Sequence, residues 1–194
     1  MLESSKALFP YELDDQTIIF KDELGNELLG VTNVYSSDDI DNYTFTFAGI
    51  SCIDDSEKKV DVELKPEALF TYLIFQELEI SFDIAFRASV NVEEYEEEVL
   101  QDICRVYFLN GVGDPDFTSP SNRKPLSITI NQRNDPRLLE SSEPISTIEI
   151  NSKEFTNVYI KTDDELTFYY NHEYGIVGII DNKSDKVYSF DRYE

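Results

Sequence analysis

The chain has no tryptophan, one histidine and two cysteines among its 194 residues. Each shortage argues against a class of chemistry. A single histidine, His172, and two cysteines that form no Cys-x-x-Cys pair disfavour a zinc site of the usual ligand types. A Ser-His-Asp arrangement would have to use His172, which lies in the polar run Asn171-His172-Glu173 and reads as an exposed turn residue. No Gly-x-Ser-x-Gly elbow and no glycine-rich phosphate loop accompanies it. Acids are abundant enough for a glycosidase-type carboxylate pair, but the tryptophan platforms common in sugar clefts are absent and tyrosine would have to substitute. Bases are scarce: 16 Lys and Arg stand against 40 Asp and Glu, a net charge of −24. That balance excludes a general nucleic-acid binder and argues against docking on anionic lipid. No apolar run is long enough to span a bilayer. Met1 to Lys6 contains no hydrophobic signal core, so the start fits either a cytosolic N-terminus or a chain whose export signal lies upstream. No internal repeat is evident.

What is present is a supply of strands. Thirteen Phe and twelve Tyr suit sheets better than helices. Between Ile145 and Tyr193, short β-branched and aromatic runs recur: Ile148–Ile150, Val158–Ile160, Leu166–Tyr170, Tyr174–Ile180 and Val187–Phe190. Asn, Asp and Ser breaks separate them. Such spacing predicts an antiparallel meander. Gly175 and Gly178 fall inside a strand, where rings packed over them would explain the missing side chains.

Upstream, Thr17–Lys21 and Leu28–Tyr35 predict a hairpin about Leu24-Gly25-Asn26-Glu27. Tyr43, Phe45 and Phe47 alternate with small or polar residues, and Val60, Val62 and Leu64 return after a turn. Ala68 to Phe75 reads as a short helix or a buried strand. In the clearest strand, Leu78, Ile80, Phe82, Ile84 and Phe86 alternate with Glu79, Ser81, Asp83, Ala85 and Arg87. A one-residue slip would expose that whole apolar set. Residues 91 to 104 keep helical spacing at Val92, Tyr95, Val99, Leu100 and Ile103, with Asn91 as cap and Glu93 and Glu94 in the first turn. This predicts one helix. Leu126–Ile130 is a further strand. The expected fold is all-β or nearly so: one domain over 1–194, an antiparallel meander forming a sandwich or a partly closed barrel, with one or two short helices. A weak boundary near 135–144 is the alternative.

Candidate sites are sparse. Close-spaced acids occur at Asp38, Asp39 and Asp41; at Asp54, Asp55 and Glu57; at Asp163 and Asp164; and at Asp114 and Asp116. The last pair sits in Gly113-Asp-Pro-Asp-Phe117, whose glycine and proline would hold a tight loop for calcium; otherwise no cofactor is indicated. The block Glu93, Glu94, Tyr95, Glu96, Glu97 and Glu98 is either a solvated face or an acidic contact for a basic partner, with Tyr95 as anchor. Cys52 and Cys104 are either buried free thiols or a disulfide.

Ile148-Glu-Ile-Asn-Ser-Lys-Glu-Phe-Thr-Asn-Val-Tyr159, then Leu166-Thr-Phe-Tyr-Tyr-Asn171 and Tyr174-Gly-Ile-Val-Gly178, resemble the ending of many small cell-envelope lipoproteins of Bacteroidetes. Phe9-Pro10 before a hairpin resembles their opening. The likeness spans about the last fifty residues. Ser152 stands where that family usually has glycine, and no lipobox cysteine is present. The resemblance implies export and a β-rich fold, and it implies no catalytic residues. The expected function is therefore a non-enzymatic binding or scaffold domain of the cell envelope or secreted space, with a protein or glycan partner. The alternatives are an acidic cytoplasmic inhibitor or immunity-type protein masking a basic partner, and a calcium-dependent adhesion module.

Overall fold

The structure, a computed structural model, describes residues 1–11, 15–36, 43–50, 57–64, 68–91, 99–111, 124–132 and 142–194. Thirteen strands run through them: β1 (Thr17–Lys21), β2 (Glu27–Ser36), β3 (Tyr43–Ile50), β4 (Glu57–Leu64), β5 (Ala68–Phe75), β6 (Ile80–Asn91), β7 (Val99–Asn110), β8 (Leu126–Gln132), β9 (Ile145–Ile150), β10 (Lys153–Thr162), β11 (Leu166–Asn171), β12 (Gly175–Asp181) and β13 (Lys186–Tyr193). Eleven form one antiparallel sheet in the order β8-β7-β6-β5-β2-β1-β13-β12-β11-β10-β9, and β3 pairs with β4 as a separate hairpin. Strands from either side of segment 135–144 belong to the same sheet. No helix is long and apolar enough to cross a membrane among the described residues.

The sheet curls into a partly closed barrel, and its ring contacts prove the curl. β6 and β11 lie six places apart in the sheet order. In a flat sheet that would separate them by about 29 Å. Yet Phe82 on β6 and Phe168 on β11 meet with ring centroids 5.1 Å apart. Phe82 also meets Phe75, which in turn meets Phe20 on β1, so one chain of edge-to-face rings crosses the interior. The alternation of β6 governs which side faces in: Ile80, Phe82, Ile84 and Phe86 are all buried in this core. Leu78 falls in the 3-10 turn Gln76–Leu78 just before the strand and packs against the same core.

Two readings of the sequence change here. Ala68–Phe75 is strand β5, with Leu73 and Phe75 wholly buried. The helix expected over 91–104 is absent where the chain is described: Asn91 ends β6 and Val99–Cys104 opens β7. Every residue of β6 pairs with one of β7, from Ile80 opposite Asn110 to Asn91 opposite Val99. That long ladder, rich in β-branched and aromatic residues, overrides a local helical spacing. The only α-helix among the described residues is a single turn, Glu3–Lys6.

The C-terminal meander forms as its turn residues predict. Asp22 accepts from the amides of Leu24 and Asn26 to close the β1–β2 turn, and Asp181 accepts from Lys183 N and Ser184 Oγ to close β12–β13. Asn151 and Ser152 both have positive φ, the backbone of a two-residue mirror-image turn. Asn151 Nδ2 then donates to Lys21 O and Val187 O, so this turn folds over onto β1 and β13. Gly178 leaves room for the fold-over: a Cβ there would lie 2.6 Å from an Ile150 methyl and 3.0 Å from the Tyr169 ring. At Gly175 (φ +73°) a Cβ would lie 2.0 Å from the hydroxyl of Tyr11, which accepts the Ile176 amide at 2.9 Å.

Candidate functional site

Grooves open on the described surface, and the linings of three of them differ in kind. The first lies beside the β11–β12 turn. Leu8, Phe9 and Pro10, Thr156, Asn157 and Tyr159 of β10, and Asn171, His172 and Glu173 line it, around ≈ 710 Å³. That is within the range of small-ligand sites. Asn171 is committed to the fold, since its Oδ1 accepts from Tyr174 N at 2.8 Å and its Nδ2 donates to Thr156 O. Asn157 is exposed with φ +52°, at the bend in β10.

His172 is half-buried rather than exposed, against expectation. Its ring meets Phe86, Tyr159 and Tyr170 edge-on at 5.8, 5.7 and 5.5 Å. The curl of the sheet brings β6 over the turn, which no local pattern announces. Burial pulls the imidazole pKa down from 6.5 to about 4. Tyr170 Oη lies 3.4 Å from its Nδ1 and also hydrogen-bonds Cys104. Cys104 is a free, wholly buried thiol, pushed up to about 12 by burial. A neutral imidazole and a protonated thiol are the opposite of the thiolate–imidazolium pair that nucleophilic cysteine chemistry uses.

The second groove, ≈ 430 Å³, runs between Glu79 and Asn110 on one side and Glu165, Asp181 and Lys183 on the other. It is closed by its own pairs: Glu165 accepts from both Asn110 Nδ2 and Lys183 Nζ. The third, ≈ 640 Å³, is lined by Arg105 and Tyr107 of β7, Lys124, Pro125, Ser127 of β8, Ser142 and Lys161 of β10. Arg105 and Tyr107 share the face of β7 opposite to buried Cys104 and Val106, and Ser127 is the direct partner of Arg105. Ser142 N donates to Ser127 O at 2.9 Å, which holds the approach to β9 against β8.

Most of the residues singled out from sequence fall elsewhere. Glu93, Glu94, Tyr95, Glu96, Glu97 and Glu98 lie outside the described residues, as do Asp114, Asp116 and Cys52. Asp163 and Asp164 form the β10–β11 turn, where Asp163 N donates to Leu166 O and Asp164 N to Asp163 Oδ1. Among the described residues, no three of His, Cys, Asp and Glu converge in a way that would hold a metal ion. The bases that line the third groove were invisible to motif reading. Arg105, Lys124 and Lys161 lie far apart in sequence, and only strand pairing gathers them. No family model, curated protein or solved structure matches the chain.

Proposed function

We propose that the chain is a non-enzymatic binding domain of the cell envelope or secreted space, and that it takes a neutral glycan segment in the groove beside His172. One observation carries the reading: rings and polar groups, with Glu173 the one carboxylate among the described lining, face a groove of ligand size. Phe9, Tyr159 and His172 supply rings for sugar C–H groups to pack on, while Thr156, Asn157 and Glu173 offer exposed partners for hydroxyls. The neutral state of His172 suits recognition more than proton transfer at neutral pH. Saturation-transfer NMR against a panel of neutral oligosaccharides tests it. Saturable binding that falls at least about tenfold in Tyr159→Ala is expected. A panel without a binder, or turnover of any substrate that is lost when one acid is replaced, overturns it. The net charge of −24 supports a second reading, an acidic inhibitor of a basic protein. Recovery of a cationic protein at low salt and its release at high salt would favour that reading instead.

A further inference from the structure

Positive charge is scarce in this chain, and where it is described it is mostly consumed. Lys6 pairs with Glu3, Lys21 and Lys153 with Asp191, Lys183 with Glu165, and Arg192 with Asp191 and Glu194. The groove at the β7–β8 face breaks that habit. Arg105, Lys124 and Lys161 all line it, and none of the three has an ion pair or side-chain hydrogen bond among the described residues. Among the described residues, no carboxylate lines it. Arg105 Nε is buried and without a hydrogen-bond partner. In a chain with 40 acids, three bases gathered in one groove without a described carboxylate is an arrangement that the overall composition opposes.

The surroundings do not absorb these charges. On this face of the sheet, Asp83 of β6 stands directly opposite Tyr107. Its carboxyl is pushed up to about 6 by burial, with Arg87 on the same strand pulling the other way. It forms no ion pair or hydrogen bond with Arg105 or the lysines, and its Oδ1 is buried without a partner. The hydroxyl-bearing residues Tyr107, Ser127 and Ser142 complete the lining. A guanidinium fork, two ammonium groups and three hydroxyl-bearing residues are what an oxyanion requires: charge-assisted donors from several directions.

We propose that this groove is an anion-binding site, taking a carboxylate, sulfate or phosphate group carried on a small ligand. The size of the ligand follows from charge. A long polyanion would be repelled by a surface of net −24, whereas a compact ligand with one or two anionic groups meets mainly the local cations. Arg105 grips the anion, Lys161 closes from across the seam where β10 approaches β8, and exposed Lys124 contributes from the rim. The site is independent of the groove beside His172, and its test does not rest on that reading.

The test is a titration of the ¹⁵N-labelled chain with sodium sulfate, inorganic phosphate and acetate at constant ionic strength, followed by amide shifts. Saturable shifts at Arg105, Ser127 and Lys161, with millimolar dissociation constants, are expected. Arg105→Gln and Lys161→Gln should each weaken the binding about tenfold or more, and Lys124→Gln less. All three variants should keep the wild-type melting temperature, because no described partner loses a bond. Preference among the three anions then separates a carboxylate-bearing ligand from a sulfated or phosphorylated one. Shifts that rise linearly without saturating for every anion, or saturable binding unchanged in both Arg105→Gln and Lys161→Gln, overturn the proposal. If Arg105→Gln fails to fold, Lys161→Gln carries the decision alone.

Discussion

The two sides of the curled sheet handle positive charge in opposite ways. On the C-terminal side, Asp191 gathers Lys21, Lys153 and Arg192 at 2.8, 2.5 and 2.8 Å. Those hydrogen bonds hold its carboxyl far below the usual range. The cluster joins β1, β10 and β13 at the place where the β9–β10 turn folds over, so its cations are spent on architecture. On the β7–β8 side, Arg105, Lys124 and Lys161 lie in an open groove and bind no described acid. The same residue types thus hold the fold in one region and stand available in the other. The difference is whether the topology delivers a carboxylate to them.

The comparison can be broken most severely through the rings that hold the two sides together. Phe82→Ala removes a wholly buried ring that touches Phe75, Phe108 and Phe168. It should cost about 4 kcal/mol in urea or thermal unfolding. A loss below about 1 kcal/mol would mean that the curl is held elsewhere.

His172 gives the next largest effect, and it depends on pH. Its folded pKa is below its unfolded one, so the unfolded chain takes the proton first. Its contribution is intact above about pH 6.5 and is lost as pH falls toward 4. The gap between 6.5 and about 4 corresponds to at most about 3 kcal/mol. His172→Phe keeps a ring among Phe86, Tyr159 and Tyr170 and should flatten the stability profile across that window. An unchanged slope would place the acid sensitivity in other groups.

Asp191→Asn tests the architectural cluster. A loss of about 1 kcal/mol is expected at neutral pH, modest because the pairs are partly exposed. The carboxyl's folded pKa is depressed, so its contribution is present above about pH 4 and fades as pH falls below it. The variant should therefore resemble the parent in strong acid. The smallest change is a gain. Ser152 sits at φ +61°, a backbone glycine adopts without strain, and Ser152→Gly should stabilise the chain by about 0.5 kcal/mol. Destabilisation would show that the Ser152 side chain makes up for its strained backbone.

Much of the fold was legible because its signals are local. The alternation from Ile80 to Phe86 and the turn formers at Asp22, Asn151 and Asp181 act through neighbours a few residues away, while Gly175 and Gly178 announce a close approach without naming what approaches. Tyr11 does pack over Gly175, whereas at Gly178 an Ile150 methyl shares the space with the Tyr169 ring. The misreading of Val99–Cys104 has the same root. Its helical spacing is local, but the ladder against β6 is not. The grooves were the least legible part. Arg105 and Lys161 lie 56 positions apart in sequence, and nothing near either one names the other.

The sequence by itself determined a strand-rich acidic chain, the inward face of its best strand and the turns of its C-terminal meander, because period-two burial and turn chemistry act over a few residues. Tertiary structure alone decided that the sheet curls, that His172 is drawn under Phe86, and that three bases distant in sequence meet without a described acid. Those outcomes depend on which strands become neighbours and on how far the sheet bends. Both are settled by packing rings such as Phe82 and Phe168 from distant parts of the chain into one core.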